Sequence, residues 1–266
     1  MSPDPLTPLV DAQDPAVFGG KAAQLAAALV GGLPVPGGHA VAWNRVDALV
    51  ATRLTVFDDE PGPWAVRSSA IGEDSAAASF AGAHLSVLGA VGADAVAEAV
   101  SQVQASAFDP SALTYREQRG LAGTPRMGVV IQRMVGAEVA GVLFTRNPVT
   151  GENERVIEAS WGLGETVVAG LVTPDQYRLG ADGRVLQRSG GEKDMALVLD
   201  ADGHTREVPV IGDRVEALCL DDANLRSLHE LAMACDRVFA TSDHDIEFAF
   251  VGGMVHLLQR RPITHG

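Results

Sequence analysis

The sequence predicts a mixed α/β fold of the α+β class, arranged as two lobes of a single domain. Two observations indicate this class. Helix-like patterns dominate up to about residue 124, whereas from Met127 onward most segments alternate like strands and are separated by Gly, Pro and Asp-Gly turns. The 266 residues are also enough for two lobes that each have a hydrophobic core. We therefore expect lobe 1 at about residues 1–124 and lobe 2 at about 125–266.

Lobe 1 contains one helix whose limits are clearly marked. Its pattern begins at Gly20 and stops at Gly31 and Gly32, with Pro34 beyond, because Gly favours a helix end and Pro cannot continue the helix. An extended arm over residues 1–18 precedes this helix. The elements after it are a strand at HAVAW, a helix at 43–52, a buried strand at WAVR that enters a Ser- and Ala-rich loop, and helices at about 94–107 and 111–121.

Lobe 2 is predicted to be rich in strands. Six strand-like segments come first: MGVVIQRMV, EVAGVLFTR, ERVIEASW, DQYRLG, RVLQRS and ALVLD. One long helix follows them at about residues 221–240. A final hairpin, HDIEFAFVGGMVHLLQRRPIT, comes last.

Composition and charge exclude several classes of protein. Hydrophobic residues make up 47% of the chain, which excludes a disordered or collagen-like protein. The formal charge of −14 disfavours binding to the nucleic-acid backbone or to an anionic membrane. The sequence shows no signal peptide and no apolar run long enough to span a bilayer, so we expect a soluble, cytoplasmic protein. Cys219 and Cys235 fit no common zinc-site spacing and are expected to be small core residues.

The final hairpin carries the most informative polar residues. A three-residue loop at 252–254 would place Glu247 directly opposite Gln259, and Asp245 opposite Arg261. A two-residue Gly-Gly turn would instead put Gln259 on the other face of the sheet. In the first register a carboxylate and an amide oxygen lie side by side, as suits Mg²⁺ shared with substrate phosphates. The alternative is a hairpin whose Glu247 and Gln259 merely face water.

Three further segments contain groups suited to an anionic or nucleotide ligand. Lys21 follows Gly19 and Gly20 at a helix start, which favours an anion, although a solvated lysine is the alternative. Arg67 ends a buried strand beside a Ser- and Gly-rich loop, and either binds phosphate or pairs with an acidic residue of that loop. The segment Gln132 to Val135 could hold an adenine ring, or it could be a plain core strand.

Together these motifs resemble the nucleotide-binding domain of the pyruvate phosphate dikinase and phosphoenolpyruvate synthase family, which also includes rifampin phosphotransferases. The resemblance is carried by long motifs in family order: GGKAAQLAAALVGGLPVPGG, WAVRSSAIGEDSAAASFAGA, VVIQRMVGAEVAGVLFTRNPVTG, IEASWGLGETVVAGLVTPDQY and DIEFAFVGGMVHLLQRRPIT. It implies a two-lobed ATP-grasp fold over residues 1–266, with ATP in the cleft between the lobes.

The resemblance also implies roles for individual residues. It implies that the phosphate-binding cations are Lys21, Arg67 and Arg261. The SFAG motif, from Ser79 to Gly82, matches the family's phosphate-covering loop. Adenine contacts correspond to Gln132, Met134 and Val135, and the Mg²⁺ ligands to Glu247 and Gln259.

The implied activity is transfer of a phosphoryl group from Mg·ATP to a histidine, with AMP and phosphate as products. In the relatives a swivelling domain with that histidine follows the point where RPITHG stands, so the histidine is expected on a separate domain or chain. No histidine of this chain lies in a recognisable nucleophile motif. His84 lies nearest to the implied phosphate loop, and a surface strand residue is its alternative. Two other functions stay open: a stand-alone ATP-grasp kinase or ligase acting on a small metabolite, and a nucleotide-binding module without turnover.

Overall fold

The computed structural model describes residues 5–50, 54–72, 85–118 and 123–263. Within them the chain forms two compact units. Unit 1 comprises Met1–Ala27, Pro36–Met134 and Ala201–His204, and unit 2 comprises Ala28–Val35, Val135–Asp200 and Thr205–Gly266. The mixed α/β class predicted from the sequence is confirmed. The single-domain boundaries and the division into lobes at about residue 124 stay predictions.

Unit 1 is built around a five-stranded antiparallel sheet with the strand order β1-β2-β5-β3-β4. Its strands are β1 (Leu6–Pro8), β2 (Gly38–Val41), β3 (Trp64–Ala70), β4 (Ser86–Ala90) and β5 (Met127–Arg133). The helices among these strands are α1 (Pro15–Phe18), α2 (Gly20–Val30), α3 (Val46–Val50), α4 (Val56–Asp59), α5 (Gly92–Ser106) and α6 (Pro110–Gln118). The last residues of α2 belong to unit 2.

The core of unit 1 lies between this sheet and the helices α3, α4 and α5. Buried aliphatic residues of α5 recur at helical spacing, as in Val96, Val100 and Val103, and pack against the sheet. Phe57 of α4 and Trp64 of β3 meet edge to face with ring centroids 5.2 Å apart. This core fixes β3 and β5, the strands that carry Arg67 and Gln132.

Unit 2 is built around a six-stranded antiparallel sheet with the order β13-β12-β6-β7-β8-β9. Its strands are β6 (Val139–Phe144), β7 (Glu154–Trp161), β8 (Asp175–Gly180), β9 (Val185–Ser189), β12 (His244–Val251) and β13 (Met254–Pro262). A separate two-stranded sheet consists of β10 (Met195–Leu199) and β11 (Thr205–Pro209). The helices are α7 (Glu165–Val168) and α8 (Asp222–Phe239).

Helix α8 forms where the sequence predicts a long helix, because both its start and its face are encoded. Asp221 and Asn224 form a reciprocal capping box at the start. Leu225, Leu228 and Leu231 recur at helical spacing and are buried. None of the helices in the described ranges is both long and apolar enough to cross a membrane.

Several elements differ from the sequence-based predictions. The strand predicted at WAVR continues as β3 to Ala70, because Ser68 and Ser69 are small enough to be fully buried in the sheet. The arm predicted as extended contains β1, a short 3-10 helix and α1. The elements that were not predicted include β4, α4, α7 and β11. Strand β11 has no buried residue, so it gives no hydrophobic signal.

A fully buried ion pair fixes the loops beside β8. Nζ of Lys193 donates to Oδ1 of Asp175 at 2.5 Å, and both side chains are inaccessible to solvent. The remaining acceptor capacity of Asp175 is used by the backbone N–H groups of Gly191 and Cys219 and by the hydroxyl of Tyr177. Cys219 and Cys235 are buried free thiols, as predicted. Lys193 therefore has a structural role, because its charge is matched inside the core.

We predict that Asp175→Ala lowers the free energy of unfolding by about 3–5 kcal/mol, because it leaves a buried ammonium without its carboxylate. Urea denaturation followed by circular dichroism measures the loss. The double variant Asp175→Ala with Lys193→Met removes both charges and is expected to be more stable than Asp175→Ala alone. A double variant as unstable as the sum of the two single variants would contradict this account.

Candidate functional site

The register of the final hairpin places Glu247 opposite Gln259 and Asp245 opposite Arg261. The pairing was predicted, but the three-residue loop used to derive it is wrong. Val251 pairs with Met254 across a two-residue turn. Both glycines of that turn have positive φ, 55° at Gly252 and 76° at Gly253, as a tight hairpin turn of this type requires.

A bulge restores the predicted pairing. Phe248 pairs with Leu257, whereas the preceding residue, Glu247, pairs with Gln259, so Leu258 is the extra residue on β13. In an unbroken ladder with the same turn, Leu258 would pair with Glu247, and Gln259 would pair with Ile246 and point to the opposite face of the sheet. The bulge therefore determines which side chains of β13 share a face with Glu247.

The Glu247 and Gln259 pair has the donor set expected for a magnesium site shared with a substrate. Directly opposed residues of an antiparallel pair have Cβ atoms about 4.5–5.5 Å apart. Gln259 is only 2% exposed and Glu247 is half-buried. No group of three or more His, Cys, Asp or Glu side chains suited to a metal occurs in the described residues. One carboxylate and one amide oxygen fit an ion that takes its other ligands from phosphates and water.

The opposite face of β13 is anchored to β12 and α8 through Arg260. Arg260 donates from Nε and Nη2 towards Nδ1 of His244, at 2.9 and 2.7 Å, and its guanidinium stacks 4.2 Å from the Phe239 ring centroid. Nδ1 of His244 is thus the acceptor, and the proton of the neutral ring lies on Nε2. Nε2 faces Oδ1 of Asp236 at 3.1 Å, although the two atoms are not aligned for a hydrogen bond. This anchor holds the strand segment that carries Gln259 and Arg261.

Lys21 is held at the start of α2 by β3. Its side chain is only 4% exposed, and its ammonium donates to the carbonyl oxygen of Ser68 at 2.7 Å. The hydroxyl of Ser69 accepts from the backbone N–H of Ala22 at 3.0 Å and so satisfies one donor of the first helical turn. The alternative of a solvated lysine is wrong, because Lys21 is buried.

Gly19 allows this close approach of the helix start to the strand. It has a φ of 86°, and a Cβ at this position would collide with the backbone carbonyl of Ser69. Any larger residue must therefore move α2 away from β3. The position of Lys21 depends on this glycine.

Arg67 and the first three residues of the Gln132–Val135 segment lie in unit 1, whereas Val135 lies in unit 2. Nη1 of Arg67 lies 3.5 Å from Oε1 of Gln132, at the limit of a hydrogen bond, and Gln132 donates to the Pro36 carbonyl at 3.4 Å. The sulfur of Met134 accepts from the backbone N–H of Gly89 at 3.0 Å. Met134 and Val135 are both half-buried, so this segment is less enclosed than the rest of β5.

The candidate residues form two groups, one in each unit. Unit 1 contains Lys21, Arg67, Gln132 and Met134, and unit 2 contains Val135, Glu247, Gln259 and Arg261. Ser79, Gly82 and His84 lie outside the described residues. The binding and catalytic roles of all these residues stay predictions.

The core residues that contact the buried face of the hairpin were not predicted from the sequence. His244 was not singled out, because the seven histidines are scattered along the chain. The alternation of β12 does contain a signal, since the buried residues His244, Ile246 and Phe248 point away from Glu247. A polar residue on the buried side of such a strand indicates a partner in the core.

Comparisons with known proteins agree with the motifs. A family model described as "Pyruvate phosphate dikinase, AMP/ATP-binding domain" matches residues 45–266. The chain is 40% identical over 202 residues to a "Probable phosphoenolpyruvate synthase" of Archaeoglobus fulgidus, covering 75% of this chain and 27% of that protein. It is 39% identical over 215 residues to a "Rifampicin phosphotransferase" of Streptomyces sviceus, covering 80% and 24%. The chain thus spans about a quarter of the length of these curated relatives.

Solved structures show only a distant likeness. PH1788 from Pyrococcus horikoshii has a TM-score of 0.45 at 12% identity, with coverage of 92% of this chain and 90% of that chain. The ATP complex of D-alanine–D-alanine ligase from Bacillus anthracis has a TM-score of 0.38 at 10% identity, covering 91% and 55%. Scores below 0.5 support no functional argument.

We predict that Gly19→Ala destabilises the protein, because the added Cβ requires both a strained positive φ and a retreat of α2 from Ser69. The expected loss is about 1–3 kcal/mol in the free energy of unfolding, measured by urea denaturation. Gly72→Ala is the matched control, since Gly72 also has a positive φ but a Cβ there meets no atom of the described residues within 4 Å. Equal losses in the two variants would show that the close approach of α2 is unimportant.

We also predict a pH dependence of stability that originates at His244. Burial, and then the neighbouring Arg260, lowers the pKa of His244 to about 4 from 6.5. As the pH falls from about 6.5 to about 4, His244 binds a proton in the unfolded chain but not in the folded protein. The free energy of unfolding therefore falls by about 3 kcal/mol. Above about pH 6.5 His244 is uncharged in both the folded and the unfolded state, so this loss of stability is absent.

Urea denaturation of wild type and His244→Gln between pH 7.5 and 4.5 measures this contribution. The variant is less stable at pH 7.5 but loses less on acidification, so the two stability curves converge. Parallel curves over this range would contradict the assignment. An imidazole NMR titration of His244 in the wild type measures the pKa independently.

Proposed function

The chain belongs to the family of pyruvate phosphate dikinase AMP/ATP-binding domains, and we propose that it phosphorylates a histidine on a separate domain or chain by using Mg·ATP. Its mixed α/β fold agrees with the ATP-grasp arrangement that the family resemblance implies. The relatives at about 40% identity are named as a synthase of phosphoenolpyruvate and a rifampicin phosphotransferase, which supports an ATP-dependent phosphotransferase. One phosphoryl group is transferred to the histidine and the other to water, so the proposed products are AMP, phosphate and the phosphorylated histidine.

The observation that supports this proposal best is the pairing of Glu247 with Gln259 beside Arg261. Magnesium, when bound by the two oxygens, supplies charge neutralisation and orientation for the phosphates. Arg261 lies two residues further along the same face and can form paired hydrogen bonds to phosphate oxygens. Phosphoryl transfer requires such positioning and electrostatic stabilisation more than covalent chemistry by the protein.

Unit 1 supplies a second set of groups with the same chemistry. The Lys21 ammonium is fixed by its bond to Ser68, and Lys and Arg side chains stabilise the charge that develops on a migrating phosphoryl group. Gln132 and Met134 of unit 1, with the next residue in the chain, Val135 of unit 2, combine an amide with apolar surface, as a purine requires. Fixed cations also need little reorganisation during the reaction, which increases their effect.

Product analysis tests the proposed reaction. The protein is incubated with Mg²⁺ and ATP labelled at the β-phosphate, with and without a protein that carries an acceptor histidine. Label on the histidine with formation of AMP and phosphate supports the proposal. ADP with a phosphorylated metabolite would instead support the small-molecule kinase, and ATP binding without any product would support the module without turnover.

We predict that Glu247→Gln lowers Mg²⁺-dependent turnover of ATP by about 100-fold, because the amide cannot neutralise the metal. The hydrogen-bonding shape of the side chain is kept, so the thermal unfolding temperature is expected to change little. Glu192→Gln is the matched control, since Glu192 is an exposed carboxylate in the same unit. Full Mg²⁺-dependent turnover in Glu247→Gln would refute the metal assignment.

A further inference from the structure

A shallow pocket of about 260 Å³ lies within unit 2, on one face of its six-stranded sheet. Phe144 and Val156 contribute apolar side chains to its lining, and Glu158, Gln176 and Arg178 contribute polar ones. Val149, in the loop between β6 and β7, stands at its edge. None of these residues belongs to the candidate nucleotide-binding set.

This pocket is on the same face of the sheet as Glu247. Glu247 pairs with Val142, which pairs with Glu158, which pairs with Gln176. Directly opposed residues share a face, so the row continues from the proposed metal ligands into the pocket. At about 4.8 Å between strands, Glu158 lies about 10 Å from Glu247.

The direction along β6 places the pocket at the end of this strand that is further along the chain from Val135, the proposed adenine contact in unit 2. Strand β6 begins at Val139, shortly after Val135, passes Val142 opposite Glu247, and ends at Phe144 in the pocket. A nucleotide whose base is at Val135 and whose metal is at Glu247 therefore directs its terminal phosphates towards the pocket. The acceptor must approach from this side.

The separation is too large for the pocket to hold the reacting atom itself. Transfer requires the attacking atom within about 3–3.5 Å of its target. A group seated about 10 Å away can instead hold the molecule that carries the acceptor. The volume is also below the roughly 300–1,000 Å³ typical of small-molecule pockets, which favours one anchoring side chain of a protein.

The loop between β6 and β7 exposes the apolar side chain of Val149, and hydrogen bonds within the loop fix its backbone. Val149 is 91% exposed. The side-chain oxygen of Asn147 accepts from the backbone N–H groups of Val149 and Thr150, at 2.9 and 3.0 Å, and its amide donates to Glu154 at 2.7 Å. Arg146 donates to the carbonyl of Gly151 at 2.9 Å. A rigid, exposed apolar residue costs little entropy to bury against a partner.

The charges around the pocket favour a basic partner. Arg178 donates to Glu154 at 2.7 Å and lies 3.7 Å from Glu152, so its positive charge is already matched. Its hydrogen bonds lower the pKa of Glu154, which stays ionised. Glu158 accepts from Gln176 at 3.1 Å and adds a further carboxylate. The pocket region therefore carries an excess of negative charge on a chain with net charge −14.

We propose that this pocket docks the phosphoryl-accepting protein through a basic segment that inserts one apolar side chain beside Val149. That the partner carries the acceptor histidine rests on the proposed function. The inference that the docking segment is basic and carries one apolar side chain rests only on the charges and the apolar lining of the pocket.

The test uses the full chain labelled with ¹⁵N and the peptide Ac-Lys-Leu-His-Lys-NH2, without nucleotide. Titration is expected to shift the NMR signals of Val149, Val156 and Gln176 in a saturable way, with an affinity that falls as salt is added. Val149→Lys is expected to weaken binding about tenfold, because it removes apolar contact and repels the peptide. Val168→Lys is the matched control, since Val168 is a 58% exposed valine of the same unit outside the pocket.

Two altered peptides separate charge from apolar contact. Ac-Glu-Leu-His-Glu-NH2 and Ac-Lys-Ser-His-Lys-NH2 are each expected to bind about tenfold more weakly than the parent peptide. The proposal is overturned by equal binding of all three peptides, by shifts outside the pocket, or by unchanged affinity in Val149→Lys. It is also overturned if AMP or ATP saturates the pocket signals. Because no nucleotide is needed, failure here leaves the result for Glu247→Gln intact, and the reverse also holds.

Discussion

Antiparallel strands place successive side chains on opposite faces, and this alternation constrains the whole candidate site. A two-residue turn at Gly252 and Gly253 is compatible with the twist of the hairpin, but it alone would direct Gln259 away from Glu247. One extra residue, Leu258, reverses the alternation for the rest of β13. The same reversal sends Arg260 to the opposite face, where it contacts His244 and Phe239. The two faces of this short segment therefore differ, because one carries Glu247 and Gln259 and the other is anchored in the core through Arg260.

The rows of cross-strand neighbours extend this division across unit 2. The face that carries Glu247 continues through Val142 to Glu158 and Gln176, and it is only partly buried. The opposite face carries Leu143, Ile157 and Tyr177, which are fully buried. The fully buried core residues and the proposed site residues are thus on different faces of the sheet, so residues on the partly buried face can vary without disturbing the core.

Much of this organisation could be predicted from the sequence, where local signals agree with the tertiary structure. The limits of α2 follow from its glycines, and the capping box and leucine spacing define α8. The pairing of Glu247 with Gln259 was also correct. Its derivation was not, because turn length and bulge position are separate variables and the residues between 248 and 258 do not distinguish them.

Other features depend on tertiary contacts that no local pattern contains. Ser68 and Ser69 extend β3 because the sheet buries them, although serines after a strand usually indicate a loop. Lys193 is buried because Asp175, distant in sequence, supplies its counter-charge. The pocket beside Val149 arises from residues of four strands and a loop, each of which is ordinary in its own segment.

The extra residue at Leu258 has a genetic consequence. Loss of its codon, with the reading frame preserved, would leave Gln259 directly after Leu257, and a regular ladder would still pair Gln259 with Glu247. Both Gln259 and Arg260 would keep their faces of the sheet, and only the local bend and twist that the bulge gives to β13 would be lost. The chain can therefore lose this residue from the strand without exchanging the environments of the residues that follow.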